Sequence, residues 1–132
     1  MPTRPLSPHL SVYRMSRYTL ATSISNRLTG VGLSVGLLLL VYWLVALAAG
    51  APSYANAVRV LGSPPVKLVY TFLILCFCYH LVAGVRHLVW DTGHGLERAQ
   101  AQRSAWVVIA VSLLLALLIL YRVFAGGGLH TP

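Results

Sequence analysis

The stretch YHLVAGVRHLVWD, residues 79 to 91, sets two histidines, an arginine and an aspartate inside an otherwise apolar run. On an α-helix, positions three, four or seven apart share a face, and His80, Gly84, His87 and Asp91 follow that spacing. They form one stripe, whose chemistry would suit a metal site, a proton relay, a haem ligand set or polar packing between helices. Ionisable side chains are costly against lipid, so such a stripe must face protein, a cofactor or water.

Geometry narrows these options. His80 and His87 are separated by about 10 Å along a helix rising about 1.5 Å per residue. Ligands of one metal ion each lie only about 2 Å from it, so the pair cannot share an ion. The separation is also too short for two haems on one helix, which leaves at most one axial ligand. His80 is the better candidate, because it lies deeper in the apolar run and Gly84, one turn away, leaves room for a flat macrocycle. His87, beside Arg86 and nearer the interface, suits propionate or quinone-pocket contacts. A histidine that only hydrogen-bonds a neighbouring helix fits the same residues, and the stripe by itself leaves both readings open. Were His80 to bind six-coordinate haem iron, the second ligand would come from another chain, since His9, His94 and His130 lie outside the apolar spans.

A second group stands at the start of the first apolar run. Ser23 and Arg27 are one helical turn apart, and an antiparallel neighbour would bring His87 and Asp91 to the same leaflet. Hydrogen-bond donors beside a fixed positive charge suit a quinone, whose carbonyl oxygens accept hydrogen bonds and gain negative charge on reduction. An arginine that only reaches towards lipid headgroups is the plainer alternative for Arg27.

The elements that would carry these residues follow from composition. Of 132 residues 58% are apolar and 9% charged, too few charges to cover the surface of a soluble domain of this size. Leu28 to Ala51, Leu68 to Val85 and Ser104 to Tyr121 carry no formal charge and approach the roughly 20 residues needed to cross a bilayer. The expected fold is all-α and integral to the membrane, with helices near 21–50, 66–90 and 101–124. A basic, proline-containing arm over 1–20 precedes them and a flexible tail over 126–132 follows. Residues 52 to 66 are expected as a loop, with Ser63 as a cap candidate ahead of Pro64 and Pro65. Helix one is expected to start near Ala21 or Ser23, which puts Arg27 one or two turns inside it.

Arg4, Arg14, Arg17, Arg27, Arg98 and Arg103 fall on one side of these spans, against Arg59, Lys67 and Arg122 on the other, so the N-terminus is expected to face the cytoplasm. The net charge of +8 is spread over these flanks and gives no nucleic-acid-binding face. Gly32 and Gly36, within GVGLSVG, lack the spacing of a nucleotide loop and form a small-xxx-small stripe for close helix approach. Cys76 and Cys78 point to different faces of their helix and read as small apolar residues.

RPLSPHLSVYR at 4–14, SISNRLTG at 23–30 and HLVAGVRHLVWD at 80–91 closely resemble the cytochrome b membrane-anchor subunits of succinate dehydrogenase, respiratory complex II. The resemblance covers nearly the whole chain. It implies a three-helix subunit in a heteromeric bundle with a second small anchor, holding an iron–sulfur subunit and a flavoprotein on the membrane. Electrons from succinate would pass through FAD and iron–sulfur clusters to ubiquinone. By the same resemblance, His80 matches an axial ligand of haem b whose other ligand comes from the partner anchor. Ser23 and Arg27 match quinone-pocket positions, and His87 and Asp91 match polar positions near the haem propionates and quinone. Asn26 stands where the family often has histidine, which places any propionate or proton role of that histidine in question. The start MPTRP has no Arg- and Ser-rich extension, which points to a bacterial inner membrane and away from mitochondrial import. The rival readings are a purely structural anchor or assembly protein, and a homodimeric haem b protein with His80 from each copy on one iron.

Overall fold

The computed structural model describes residues 17–125, and all regular structure among them is helical. Helix α1 spans Arg17–Ala48, α2 Ala51–Leu61, α3 Pro64–Asp91 and α4 Arg98–Ala125. Three of them are long and apolar enough to span a membrane: α1 over Leu20–Ala48, α3 and α4. A 28-residue helix such as α3 extends about 42 Å, more than the roughly 30 Å hydrocarbon core. The chain is a multi-pass membrane protein. Residues 1–16 of the expected arm and the whole expected tail lie outside the described residues.

Two features differ from the sequence expectation. First, α1 begins at Arg17, so Arg27 lies nearly three turns inside the helix. The extra turn has its own anchors: Tyr18 packs its ring against Trp106 of α4 at 6.3 Å, and the Thr22 hydroxyl donates to the Tyr18 carbonyl at 3.0 Å. Second, the segment expected as a loop holds the short helix α2. Gly50 turns the chain at φ 101°, a region that side chains disfavour, and Pro52 sits in the first turn where its missing N–H costs nothing. Ala57 is fully buried, and Tyr54 meets the Trp43 ring edge-on at 6.3 Å.

The expected cap of α3 is present in altered form. Ser63 adopts an extended backbone before Pro64, yet its hydroxyl donates backwards to the Val60 carbonyl at 2.6 Å. Beyond the end of α3, Gly93 at φ 82° turns the chain towards α4.

The packing is inverted relative to a soluble bundle, with large side chains outside and small ones within. Leu38, Leu68 and Leu117 are 66%, 74% and 64% exposed, as lipid-facing residues must be. The buried positions of α4, Ala105, Val108, Ser112 and Ala116, are mostly small and recur every three or four residues, and α4 packs most extensively on α3. On the other side, α1 meets α3 through its glycines. A Cβ at Gly36 would stand 2.8 Å from Leu73 Cδ2, and one at Gly32 would stand 3.3 Å from Cys76 Sγ. Apolar transfer gives no drive for association inside lipid, so this close approach is what holds the helices together. Cys76 and Cys78 are free and buried in the same packing.

Candidate functional site

Antiparallel packing of α1 and α3 pairs Gly36 with Leu73, Gly32 with Cys76, Gly30 with His80 and Thr22 with Arg86. That register fixes the surroundings of His80. Its Nδ1 lies 3.1 Å from the Asn26 carbonyl oxygen and 3.3 Å from Thr29 Oγ1. The carbonyl can only accept, so Nδ1 carries the proton and donates it. The Thr29 hydroxyl in turn donates to the carbonyls of Ser25 at 2.8 Å and Asn26 at 3.0 Å, leaving its oxygen as a second acceptor for the ring. This arrangement favours the tautomer that leaves the Nε2 lone pair available to a metal, since a carbonyl on the far ring nitrogen commonly orients a histidine ligand.

The backbone of α1 supports the ring from below. A Cβ at Gly30 would come within 3.1 Å of His80 Cε1, so only glycine lets the ring lie this close. One turn along α3 the surface is open, and a Cβ at Gly84 would meet nothing within 4 Å. Asn26 Oδ1 is buried without a hydrogen-bond partner among the described residues. No group of three or more His, Cys, Asp or Glu among these residues is arranged to hold a metal ion. Any iron at His80 would take its remaining ligands from outside the described residues.

The other sequence-derived candidates occupy the same end of the bundle at different heights. Ser23 is half-buried on α1, one residue from Thr22 and so level with Arg86. Arg27 is exposed and level with His80, given the neighbouring pairing of Asn26 with that histidine. His87 is exposed, with its ring edge-on to Trp90 at 5.3 Å. Asp91 is exposed at the last position of α3. From the level of Arg27 to Asp91 is about 15 Å along the axis. Ser23, level with Arg86, stands between them, about 7.5 Å from Asp91 along the axis.

The residue that the sequence reading missed is Arg86, noted there only as the neighbour of His87. It is 8% exposed, enclosed by α1, α3 and α4 near the Asp91 end of the bundle. Its Nε donates to Ser104 Oγ at 2.9 Å and its Nη2 to the Ala101 carbonyl at 2.8 Å, both on α4. Its Nη1 reaches Thr22 Oγ1 on α1 at 3.4 Å, and the guanidinium carbon stands 3.9 Å from the centre of the Trp90 ring. Tyr79, Ala83, Arg86 and Trp90 repeat the four-three-four spacing of the histidine stripe, shifted by one residue, and this shifted stripe faces the bundle. The available signal was a lone arginine in an apolar run with an aromatic residue on the same face on either side.

Comparison with known proteins identifies the family. A family model described as the succinate dehydrogenase/fumarate reductase transmembrane subunit matches residues 1–119. The chain is 43% identical over 121 residues to the succinate dehydrogenase cytochrome b556 subunit of Paracoccus denitrificans, covering 92% of each. It is 35% identical over 117 residues to the protein of that name from Rickettsia prowazekii, covering 88% of this chain and 90% of the relative. With the mitochondrial succinate dehydrogenase cytochrome b560 subunit of Homo sapiens it shares 38% identity over 114 residues, covering 84% of this chain and 66% of the relative. A match of this extent, on a chain with three apolar spans, places the protein in the family of succinate dehydrogenase/fumarate reductase transmembrane subunits.

Proposed function

We propose that this chain anchors a succinate:quinone oxidoreductase in a bacterial inner membrane with its N-terminus in the cytoplasm, and that it supplies one half of a haem b site and part of a ubiquinone site. The observation that carries this reading is the 3.1 Å contact of His80 Nδ1 with the Asn26 carbonyl, an acceptor that favours the proton on Nδ1 and so leaves Nε2 free to bind a metal. The open surface at Gly84 would accept the face of a planar group. A second small anchor subunit would supply the other protein ligand of the haem, and an iron–sulfur subunit and a flavoprotein would carry the succinate chemistry on the cytoplasmic side.

When bound, haem b supplies a one-electron reservoir close to the quinone. The work of this chain's residues is positioning and charge. His80 would hold the iron through Nε2 while its Nδ1 proton is donated to the Asn26 carbonyl and the Thr29 hydroxyl oxygen. His87, exposed one turn nearer the interface than Gly84, is placed to donate to the propionates or to the quinone region. Ser23 offers a hydroxyl donor to a quinone carbonyl, and the Arg27 guanidinium one turn on offsets negative charge gained by the ring. Asp91 at the end of α3 faces the aqueous edge, where it can pass protons inward.

His80→Ala should abolish the b-type band in the reduced-minus-oxidised spectrum of the purified complex, and Ser23→Ala or Arg27→Ala should weaken quinone reduction with that band intact. The Nδ1 contacts also suit a histidine that only packs α3 on α1, as a purely structural anchor would use it. A normal haem spectrum in His80→Ala would favour that second reading and remove the first.

A further inference from the structure

A guanidinium buried between membrane-spanning helices is expensive unless its donors are met and its charge is used. Arg86 spends three of its N–H donors on hydroxyl and carbonyl oxygens, all neutral, and rests on the Trp90 face. The chain has only two acidic side chains, Asp91 and Glu97, and both are exposed. A guanidinium does not lose its proton in a protein, so this site keeps a full positive charge with no carboxylate beside it among the described residues.

The position of that charge matters. Arg86 lies six residues from His80, about 9 Å along α3. It also touches Thr22, the residue before Ser23, whose carbonyl receives the Tyr79 hydroxyl at 3.3 Å. Thr22 is thus gripped from α3 at both its hydroxyl and its carbonyl, while the same guanidinium binds α4 through Ser104 and Ala101. Resting on the haem and quinone assignment above, we propose that Arg86 is a positioning residue for both sites. Its fork fixes the turn of α1 that carries Ser23, and its uncompensated charge favours the reduced state of the haem held by His80.

The fork and the charge separate by substitution in the intact purified complex, with an optical redox titration of the haem and quinone kinetics as readouts. Arg86→Gln removes both, and should lower the ratio of reduced to oxidised haem at a fixed potential about tenfold, a shift of about 59 mV for one electron. Arg86→Lys keeps the charge and loses the fork, so it should hold that ratio within about threefold of wild type while raising KM for quinone more than it lowers kcat. Ser104→Asp sets a carboxylate against Nε and cancels the charge in place, so it too should lower the haem potential. This variant decides the matter where Arg86→Gln fails to assemble.

An unchanged haem potential in Arg86→Gln or Ser104→Asp, with haem content retained, would overturn the electrostatic role. An unchanged quinone KM in Arg86→Lys would overturn the positioning role. A wild-type complex without haem, or one whose haem survives His80→Ala, would instead refute the assignment on which the proposal rests.

Discussion

The most incisive perturbation of the haem-ligand reading leaves His80 untouched. Gly30→Ala adds one methyl group 3.1 Å from His80 Cε1, where ordinary contact needs 3.4 to 4 Å. Relief requires the ring to recede from α1 by several tenths of an ångström. Cε1 is bonded to both ring nitrogens, so that movement shifts Nδ1 and Nε2 together. The Nδ1 contact to the Asn26 carbonyl, 3.1 Å at the start, then stretches past hydrogen-bonding range. Loss of one such bond costs about 1 kcal/mol, and loss of a partner orienting a metal ligand typically costs about 10- to 100-fold in affinity. Gly30→Ala should therefore weaken haem retention by about tenfold while the complex still assembles. The assay is haem content per complex after dialysis against a haem-scavenging apoprotein, compared with Thr29→Val. That control removes the longer 3.3 Å contact and the hydroxyl's own bonds within α1 but keeps the Asn26 carbonyl on Nδ1, so it should lose less. Wild-type haem retention in Gly30→Ala would show that the α1 contact does not orient the ligand.

Three further outcomes follow from the packing. Gly36→Val, with its Cβ 2.8 Å from Leu73, should destabilise the α1–α3 interface by about 1–3 kcal/mol, read as a lower thermal midpoint of the detergent-solubilised complex. Trp90→Phe keeps an aromatic face for Arg86 but loses the indole donor to the Gly95 carbonyl at 3.1 Å. It should speed amide hydrogen exchange over residues 92–97 with little change in the spans. Ser112→Ala should change stability by less than about 0.5 kcal/mol, because the Ser112 hydroxyl serves only the Val108 carbonyl of its own helix at 2.6 Å.

The spans and the histidine stripe were readable in the sequence because both are periodic signals. Apolar length gives the three crossings, and the four-three-four spacing places His80, Gly84, His87 and Asp91 on one face whatever surrounds them. The acceptor of the His80 proton was not readable, since it is a backbone carbonyl and any residue at position 26 would present one. Arg86 escaped for a related reason. Its partners Thr22 and Ser104 are 64 and 18 residues away, and only the register of three packed helices shows that they meet at one guanidinium. The helix α2 was hidden by its borders: Gly50, Pro52, Gly62 and two prolines at 64 and 65 frame eleven residues that read locally as a loop. The start of α1 was placed late because its first turn is held by a ring contact to α4, which no local pattern reports.

The two stripes of α3 divide its labour. One residue along a helix is a rotation of about 100°, so neighbouring stripes look in different directions. Tyr79, Ala83, Arg86 and Trp90 turn into the bundle and bind it to α1 and α4. His80 is half-buried with one ring nitrogen spent on α1, the surface at Gly84 one turn on is open, and His87 and Asp91 are exposed. Exposed ionisable groups on a spanning helix are costly against lipid, whereas the inner stripe has its partners already. On the proposed assignment a partner anchor and the haem would cover the outer stripe and remove that cost. The reactive edge and the assembly surface would then be one surface, so haem binding should depend on the anchor subunits coming together.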